Sequence, residues 1–196
     1  MRTERAAFTI IELLIVMAII IVLAGLILAT SGYVQDKGKR SRAEAEIAAM
    51  SAALESYKAD NGVYPASTDI DPRTQADPTS ATQSQYESAS RALYIALSGD
   101  TNLDRTVTTA DADPPGSGIL PKTYLSFKPG MLSPTSQSAS VVAIRDPFGN
   151  SYGYSTHGQA GGGSGYNPTF DLWSTAGKKK EDETPAQYQQ RWIKNW

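Results

Sequence analysis

The stretch that decides the fold of this 196-residue chain reads Ala7-Phe8-Thr9-Ile10-Ile11-Glu12-Leu13-Leu14-Ile15-Val16. An unbroken apolar run continues from there to Ala29. Residues 8–30 number 23, and as an α-helix they would extend about 35 Å, enough to cross a bilayer. The run lacks the polar stripe of an amphipathic helix that lies on a soluble domain. The sequence therefore predicts a helix over residues 8–30 that is buried in a membrane or in an assembly.

Three explanations fit such a helix: a cleaved secretory signal, a plain single-pass anchor, or a helix that packs inside an assembly. The apolar run is longer than that of a secretory signal, and no Ala-x-Ala cleavage site follows it. Glu12 separates the other two. An ionised carboxylate inside an apolar span costs roughly 2.5–3.5 kcal/mol, and a plain anchor has no reason to carry it.

Two roles remain open for Glu12. Its side chain can reach the polar edge of the membrane, which is a purely structural role. Alternatively, its carboxylate pairs with a positive group on a neighbouring subunit. A chain cut after Ala7 would have a free α-amino group at Phe8, four residues before Glu12, and this amine would supply the charge.

Residues 7–16 resemble the class III signal of type IV pilins and of the pseudopilins of type II secretion. The resemblance implies that residues 1–7 are a leader peptide, which prepilin peptidase removes by cutting between Ala7 and Phe8. It also implies methylation of the new N-terminus by the same enzyme. Most members of the family have Gly before the cut, where this chain has Ala7. The implied topology has a cytoplasmic N-terminus before cleavage and a periplasmic globular domain, in the inner membrane of a bacterium.

A second apolar pattern follows the first. Between Lys39 and Asp60 apolar residues recur at intervals of four, three, four and three, which is typical of one face of a helix. Asn61-Gly62 and then Pro65 are a helix stop signal. We therefore expect residues 31–61 to continue the first helix and to pack on a globular domain of residues 62–196. The stripe consists of Ala43, Ile47, Met50, Leu54 and Tyr57.

The rest of the chain alternates helical, turn and β-forming segments. Residues 86–97 have the spacing of a second helix, and residues 146–150, Asp-Pro-Phe-Gly-Asn, are typical of a turn. Strands are predicted at residues 124–128, 141–145, 151–155 and 170–174. The expected fold class is α+β, with a long N-terminal helix packed on a small antiparallel sheet.

The turn at 146–150, the Tyr-x-Tyr at 152–154 and Phe-Asp-Leu-Trp-Ser at 170–174 resemble the major pseudopilin of type II secretion. This resemblance implies a pilin-like fold and a homo-oligomeric helical filament that works with other pseudopilins and an inner-membrane assembly platform. A type IV pilin or minor pilin is the alternative, although the chain lacks the Cys pair that many pilins carry. A membrane-anchored periplasmic binding module is a third possibility, but it gives no account of Glu12.

Residues 100–111 follow the ligand order of a calcium loop of the EF-hand or dockerin type, with oxygen-bearing side chains at alternate positions. Two features depart from the EF-hand: Arg105 stands where Gly permits the sharp turn, and the twelfth residue is Asp rather than Glu. The alternative is a solvated acidic loop without metal. The candidate calcium ligands are Asp100, Asn102, Asp104, Thr106 through its carbonyl, and Asp111.

Composition excludes several classes of function. With 18 basic and 20 acidic residues the formal net charge is −2, which argues against nucleic-acid binding. The sequence has no Cys and a single His, His157, so thiolate metal sites, a Cys nucleophile and a zinc site of several imidazoles are excluded. The glycine run after His157 is not a phosphate-binding loop, because no Lys-Ser/Thr pair follows it. The sequence thus predicts an assembly protein rather than an enzyme.

Overall fold

The computed structural model describes residues 9–74, 82–114, 117–159 and 165–196, with the backbone alone at 29–31. Ala7, Phe8 and the predicted leader lie outside the described residues. Within the described residues the chain forms three α-helices and five short β-strands. The helices are α1 (Ile10–Asn61), α2 (Gln83–Ser98) and α3 (Pro185–Gln190). The strands are β1 (Leu132–Ser133), β2 (Ala143–Ile144), β3 (Gly153–Ser155), β4 (Asp171–Ser174) and β5 (Ile193–Lys194).

The chain divides into two compact units, Met1–Lys39 and Arg40–Trp196. The division falls inside α1, so the last turns of this helix belong to the second, globular unit. The α+β class with a long N-terminal apolar helix, predicted from the sequence, is confirmed, and the described residues form two small antiparallel sheets where one was predicted.

The predicted stripe on α1 forms the centre of the globular unit. Ala43, Met50 and Leu54 are fully buried, and Ile47 is 5% exposed. Tyr57 is half-buried, and its ring centroid lies 5.3 Å from that of Tyr124. The helical spacing predicted these contacts correctly, because residues three and four apart share one face of a helix.

Helix α1 ends at the predicted stop signal, Asn61-Gly62. Gly62 adopts a left-handed conformation with φ 77°, which costs glycine little because it has no Cβ. Its N–H donates to the Lys58 carbonyl at 2.7 Å and so closes the last turn of the helix.

Helix α2 lies in the core of the same unit and begins at Gln83, three residues before the predicted start. Its buried face comprises Tyr86, Ala89, Leu93 and Leu97, all fully buried. Buried Ser90 ties α2 to β2: its hydroxyl donates to the Ile144 carbonyl at 3.1 Å, and the Ile144 N–H donates back to it at 2.8 Å.

The strands form a two-stranded sheet, β1-β2, and a three-stranded sheet, β3-β4-β5, both antiparallel. Three of the four predicted strand segments contain a strand, each shorter than predicted. The strand predicted at residues 124–128 is wrong. The N–H groups of Tyr124 and Leu125 both donate to the carbonyl of Leu97, at 2.8 and 3.0 Å, so this segment satisfies the end of α2 instead of pairing in a sheet.

Gly153 on β3 lies under the ring of Trp173 on β4. The two residues are paired in the antiparallel register, and Trp173 is fully buried. A Cβ atom at position 153 would lie 2.1 Å from the Trp173 ring, so glycine is required by the packing of the indole.

We expect Gly153→Ala to lower the free energy of unfolding by about 1–3 kcal/mol, because the extra methyl overpacks a rigid indole. Gly130→Ala is the matched control, since a Cβ there meets nothing within 4 Å. Urea unfolding of the detergent-solubilised chain measures both. Equal stabilities of the two variants would contradict the packing argument.

Candidate functional site

The apolar segment of α1 is the largest exposed feature of the chain. Its large apolar side chains between Ile10 and Leu28 are 49–82% exposed in the single chain. Among the described residues, α1 is the one helix that is long and apolar enough to cross a membrane, judged by length and composition. Such a surface is stable only in lipid or against other apolar helices, because water does not solvate it favourably.

Glu12 lies in the first turn of α1 and contacts Thr9. The Glu12 N–H donates to Thr9 Oγ1 at 3.3 Å, and the Thr9 hydroxyl donates to Glu12 Oε2 at 3.5 Å. The Leu13 N–H donates to the Thr9 carbonyl at 3.2 Å. Thr9 therefore caps the helix, with Glu12 at the position that the capping box gives to Glu or Gln.

This cap is a role for Glu12 that our sequence argument missed, although Thr9-Ile10-Ile11-Glu12 is the pattern of a capping box. The carboxylate also lies where the helix dipole favours negative charge. The proposed partner, the Phe8 amine, lies outside the described residues, so the pairing of Glu12 stays a prediction.

The structure brings the predicted calcium residues together in one loop, and their oxygens accept hydrogen bonds from the loop itself. Asp100 is fully buried and accepts from the Tyr94 hydroxyl at 2.7 Å and from the Arg105 N–H at 2.8 Å. Burial and the hydrogen bond to Asp100 raise the pKa of Tyr94. The Asp104 N–H donates to Asn102 Oδ1 at 2.9 Å, which holds the loop in a tight curl.

Asp104 and Thr106 form a local pair on the exposed side of this loop. Asp104 Oδ1 accepts from the Thr106 hydroxyl at 2.5 Å and from the Thr106 N–H at 2.8 Å. These bonds favour the ionised carboxylate and lower the pKa of Asp104. The side chain and the N–H of Thr106 thus bind Asp104, and the carbonyl ligand predicted from Thr106 stays a prediction.

Asp111, which is 2% exposed, closes the loop. Its Oδ1 accepts from the N–H groups of Thr101 and Asn102 at 2.9 and 3.0 Å. Its Oδ2 accepts from the Thr108 N–H at 2.9 Å. Desolvation opposes ionisation, but the bonds donated by Thr108, Asn102 and Thr101 outweigh it and hold the pKa of Asp111 below its ordinary value.

Arg105 makes the sharp turn that glycine makes in an EF-hand. Its φ is 76°, in the left-handed region that side chains rarely adopt. Its guanidinium donates to the carbonyls of Ala139 and Pro134, at 2.9 and 2.6 Å, and these contacts offset the backbone strain. The departure from glycine therefore does not abolish the turn.

Hydrogen bonds to Asp100, Asn102 and Asp111 contribute to the shape of the loop. Within the part of the chain that the structure describes, no group of three or more His, Cys, Asp or Glu side chains is arranged to hold a metal ion. The carboxylates of Asp100 and Asp111 face backbone and hydroxyl donors. Calcium binding by this loop stays a prediction.

The turn at 146–150 is joined to the end of β4 by buried polar groups. Asp146 Oδ1 accepts from the N–H groups of Phe148 and Asn150 at 3.0 and 2.8 Å, and Oδ2 accepts from the Ser174 hydroxyl at 2.5 Å. Burial raises the pKa of Asp146, although these donors oppose the shift. The Asn150 amide donates to the Thr175 hydroxyl at 2.9 Å. Two motifs separated along the sequence thus form one structural unit.

The chain is similar to the type II secretion system core protein G of Pseudomonas aeruginosa, with 38% identity over 64 residues. The aligned stretch is 33% of this chain and 45% of the relative, so the match spans less than half of that protein. The resemblance to the major pseudopilin predicted from the motifs is confirmed over this stretch. No protein-family model matches the chain. No solved structure matches it.

We expect Asp111→Asn to lower the free energy of unfolding at pH 7 by about 1–3 kcal/mol, because an amide leaves buried donors unpaired. Since the pKa of Asp111 is depressed in the folded state, its contribution is present above the ordinary Asp pKa of ~3.9 and is lost as the pH falls through the folded value. The gap between wild type and variant should therefore narrow in acid. Urea unfolding from pH 7 to pH 2 measures it, with exposed Asp182→Asn as the control; a gap independent of pH would contradict the charge argument.

If calcium binds the loop, the melting temperature of the solubilised chain should rise with calcium by linkage. Free calcium at 100 times Kd would contribute about 2.7 kcal/mol. The double variant Asp100→Asn with Asp104→Asn should lose the calcium-dependent shift, while Glu181→Gln with Asp182→Asn should keep it. The melting temperature of each variant is measured with and without calcium, and only the difference is compared between variants, so that changes in basal stability cancel. A wild type that does not respond to calcium would favour the metal-free loop.

Proposed function

We propose that this chain is a structural subunit of a type II secretion pseudopilus and has no catalytic role. The observation that carries the proposal is the exposed apolar segment of α1 joined to a folded α+β unit. The similarity to a secretion-system core protein supports it over the matched stretch. The chain would be held in the bacterial inner membrane by this segment, with its globular unit in the periplasm, until it enters the filament.

Assembly would transfer the segment from lipid to contacts with the same segments of other copies. Burial of apolar area gives no net gain in that transfer, since lipid is as apolar as the filament core, so packing and polar pairing must favour assembly. Glu12 is the one charged residue between Thr9 and Thr30. Its carboxylate would pair with the Phe8 amine of a neighbouring copy and so set the register of the filament.

Processing is the first step of the proposed function. Prepilin peptidase would cut between Ala7 and Phe8 and methylate the new amine, and the platform and other pseudopilins would then take up the mature chain. An intact mass measurement on membrane-extracted protein tests this step: we expect loss of residues 1–7 and addition of one methyl group. An unprocessed chain would contradict the pseudopilin function.

The two roles of Glu12 are separable by substitution. Glu12→Gln keeps a residue that suits the capping box but removes the charge, and we expect filament yield to fall at least about tenfold, equivalent to about 1.4 kcal/mol. Thr9→Val removes the cap and keeps the charge, and should leave filament yield within about twofold of wild type. Both variants should still insert and be cleaved. Yield is measured in sheared filament fractions, and a normal yield from Glu12→Gln would contradict the pairing role.

A further inference from the structure

Two adjacent apolar side chains are exposed on the globular unit. Ile119 and Leu120 are 72% and 61% exposed, and we call this pair the Ile119–Leu120 knob. Single exposed apolar residues are common on protein surfaces, but an adjacent pair this exposed adds apolar area that a partner can cover.

The segment that follows the knob is attached to the C-terminal end of α1. Lys122 forms an ion pair with Asp60, and the Asn61 amide donates to the Tyr124 hydroxyl at 3.1 Å. Asn61 and the knob also line one shared cavity. The knob is therefore held at the level of residues 57–61 of the helix.

A groove of about 640 Å³ lies on the same unit, beside an earlier part of α1. We call it the Ala45 groove. Small residues, Ala45, Ala49 and Gly130, leave it open, and Leu125 and Met131 supply apolar walls. The groove is large enough to accept a pair of aliphatic side chains.

The charges beside the two surfaces are complementary. Arg42 and Glu46 in the groove form an ion pair at 2.7 Å, which leaves exposed Lys128 as the net positive charge. Beside the knob, Lys122 is paired with Asp60, and exposed Asp113 lines the same cavity as Ile119 and Leu120. The groove thus has a net positive charge and the surface beside the knob a net negative charge, which is complementary.

The knob and the groove lie beside different turns of α1. Asp60, whose partner Lys122 follows the knob, and Ala45 in the groove are 15 residues apart, or about 22 Å along a helix axis at ~1.5 Å per residue. A contact between a knob and a groove at the same level would therefore join two copies displaced along this axis. Such a head-to-tail contact repeats without closing and builds a filament.

We propose that the Ile119–Leu120 knob of one copy inserts into the Ala45 groove of another copy in the assembled filament. The inference rests on the proposed function and adds to it a specific contact between globular units. This contact joins different surfaces of the two copies, so it also makes the filament polar.

Disulfide crosslinking tests the contact on a clean background, because the chain has no cysteine. Full-length Leu120→Cys and Ala45→Cys are made on separate, differently tagged copies and expressed together, and sheared filaments are oxidised. We expect a mixed dimer at least about fivefold above the yield from Leu120→Cys with Ala48→Cys. Ala48 is an exposed alanine of the same helix that does not line the groove. Each single variant expressed alone should give no dimer.

Each result decides a distinct point. Filaments without the mixed dimer, or equal dimer yields from the Ala45 and Ala48 pairs, would overturn the contact and leave the pseudopilus function standing. Wild-type chains that build no filament with the complete secretion system would instead overturn the proposed function. As a second measurement, Leu120→Asp should lower filament yield at least about tenfold, and its melting temperature should match wild type because the side chain is exposed. A normal yield of Leu120→Asp filaments would contradict the proposal.

Discussion

The structure depends on one constraint: the N-terminal part of α1, from Ile10 to Leu28, presents an apolar surface that a single copy of the chain does not bury. The large side chains from Ile10 to Leu28 are exposed all around the helix, so no rotation of the helix would hide them against a single neighbour. Only lipid or a ring of other helices satisfies such a surface. The apolar part of α1 therefore requires lipid or other helices around it, in addition to the folded core of the globular unit.

The C-terminal turns of α1 are amphipathic instead. There the apolar residues narrow to a stripe, and this stripe is buried against α2 and the segments around the sheets. The opposite face stays polar or carries small alanines, and it is beside two of these, Ala45 and Ala49, that the groove opens. One continuous helix thus changes from an all-apolar surface to an amphipathic one, and the border between the two units, after Lys39, falls between the apolar run and the stripe.

Polar groups rather than long strands hold the outer parts of the globular unit. The strands are two to four residues long, so sheet hydrogen bonds contribute little order by themselves. Buried Asp100, Asp111 and Asp146 compensate, because each carboxylate accepts hydrogen bonds from several donors of its own loop or turn. For Asp111 these hydrogen bonds lower the pKa, so protonation of this carboxylate in the acid range weakens its hold on the loop.

The sequence by itself determined the apolar helix, the buried stripe, the stop at Gly62, the turn at 146–150 and the α+β class. These features follow from periodicity and turn chemistry within a few residues of each other, which sequence patterns report directly. The sequence also contains the capping-box pattern of Thr9 and Glu12, which we did not recognise because we interpreted Glu12 as an intermolecular partner. Only the tertiary structure decided that the segment 124–128 bonds to the last turn of α2 instead of forming a strand. It also decided that Arg105 adopts the left-handed conformation at the turn, and that the carboxylates of the acidic loop accept hydrogen bonds from donors within the protein. Those outcomes depend on partners from 2 to 34 residues away, and for the distant ones packing rather than local preference decides which donor binds an oxygen.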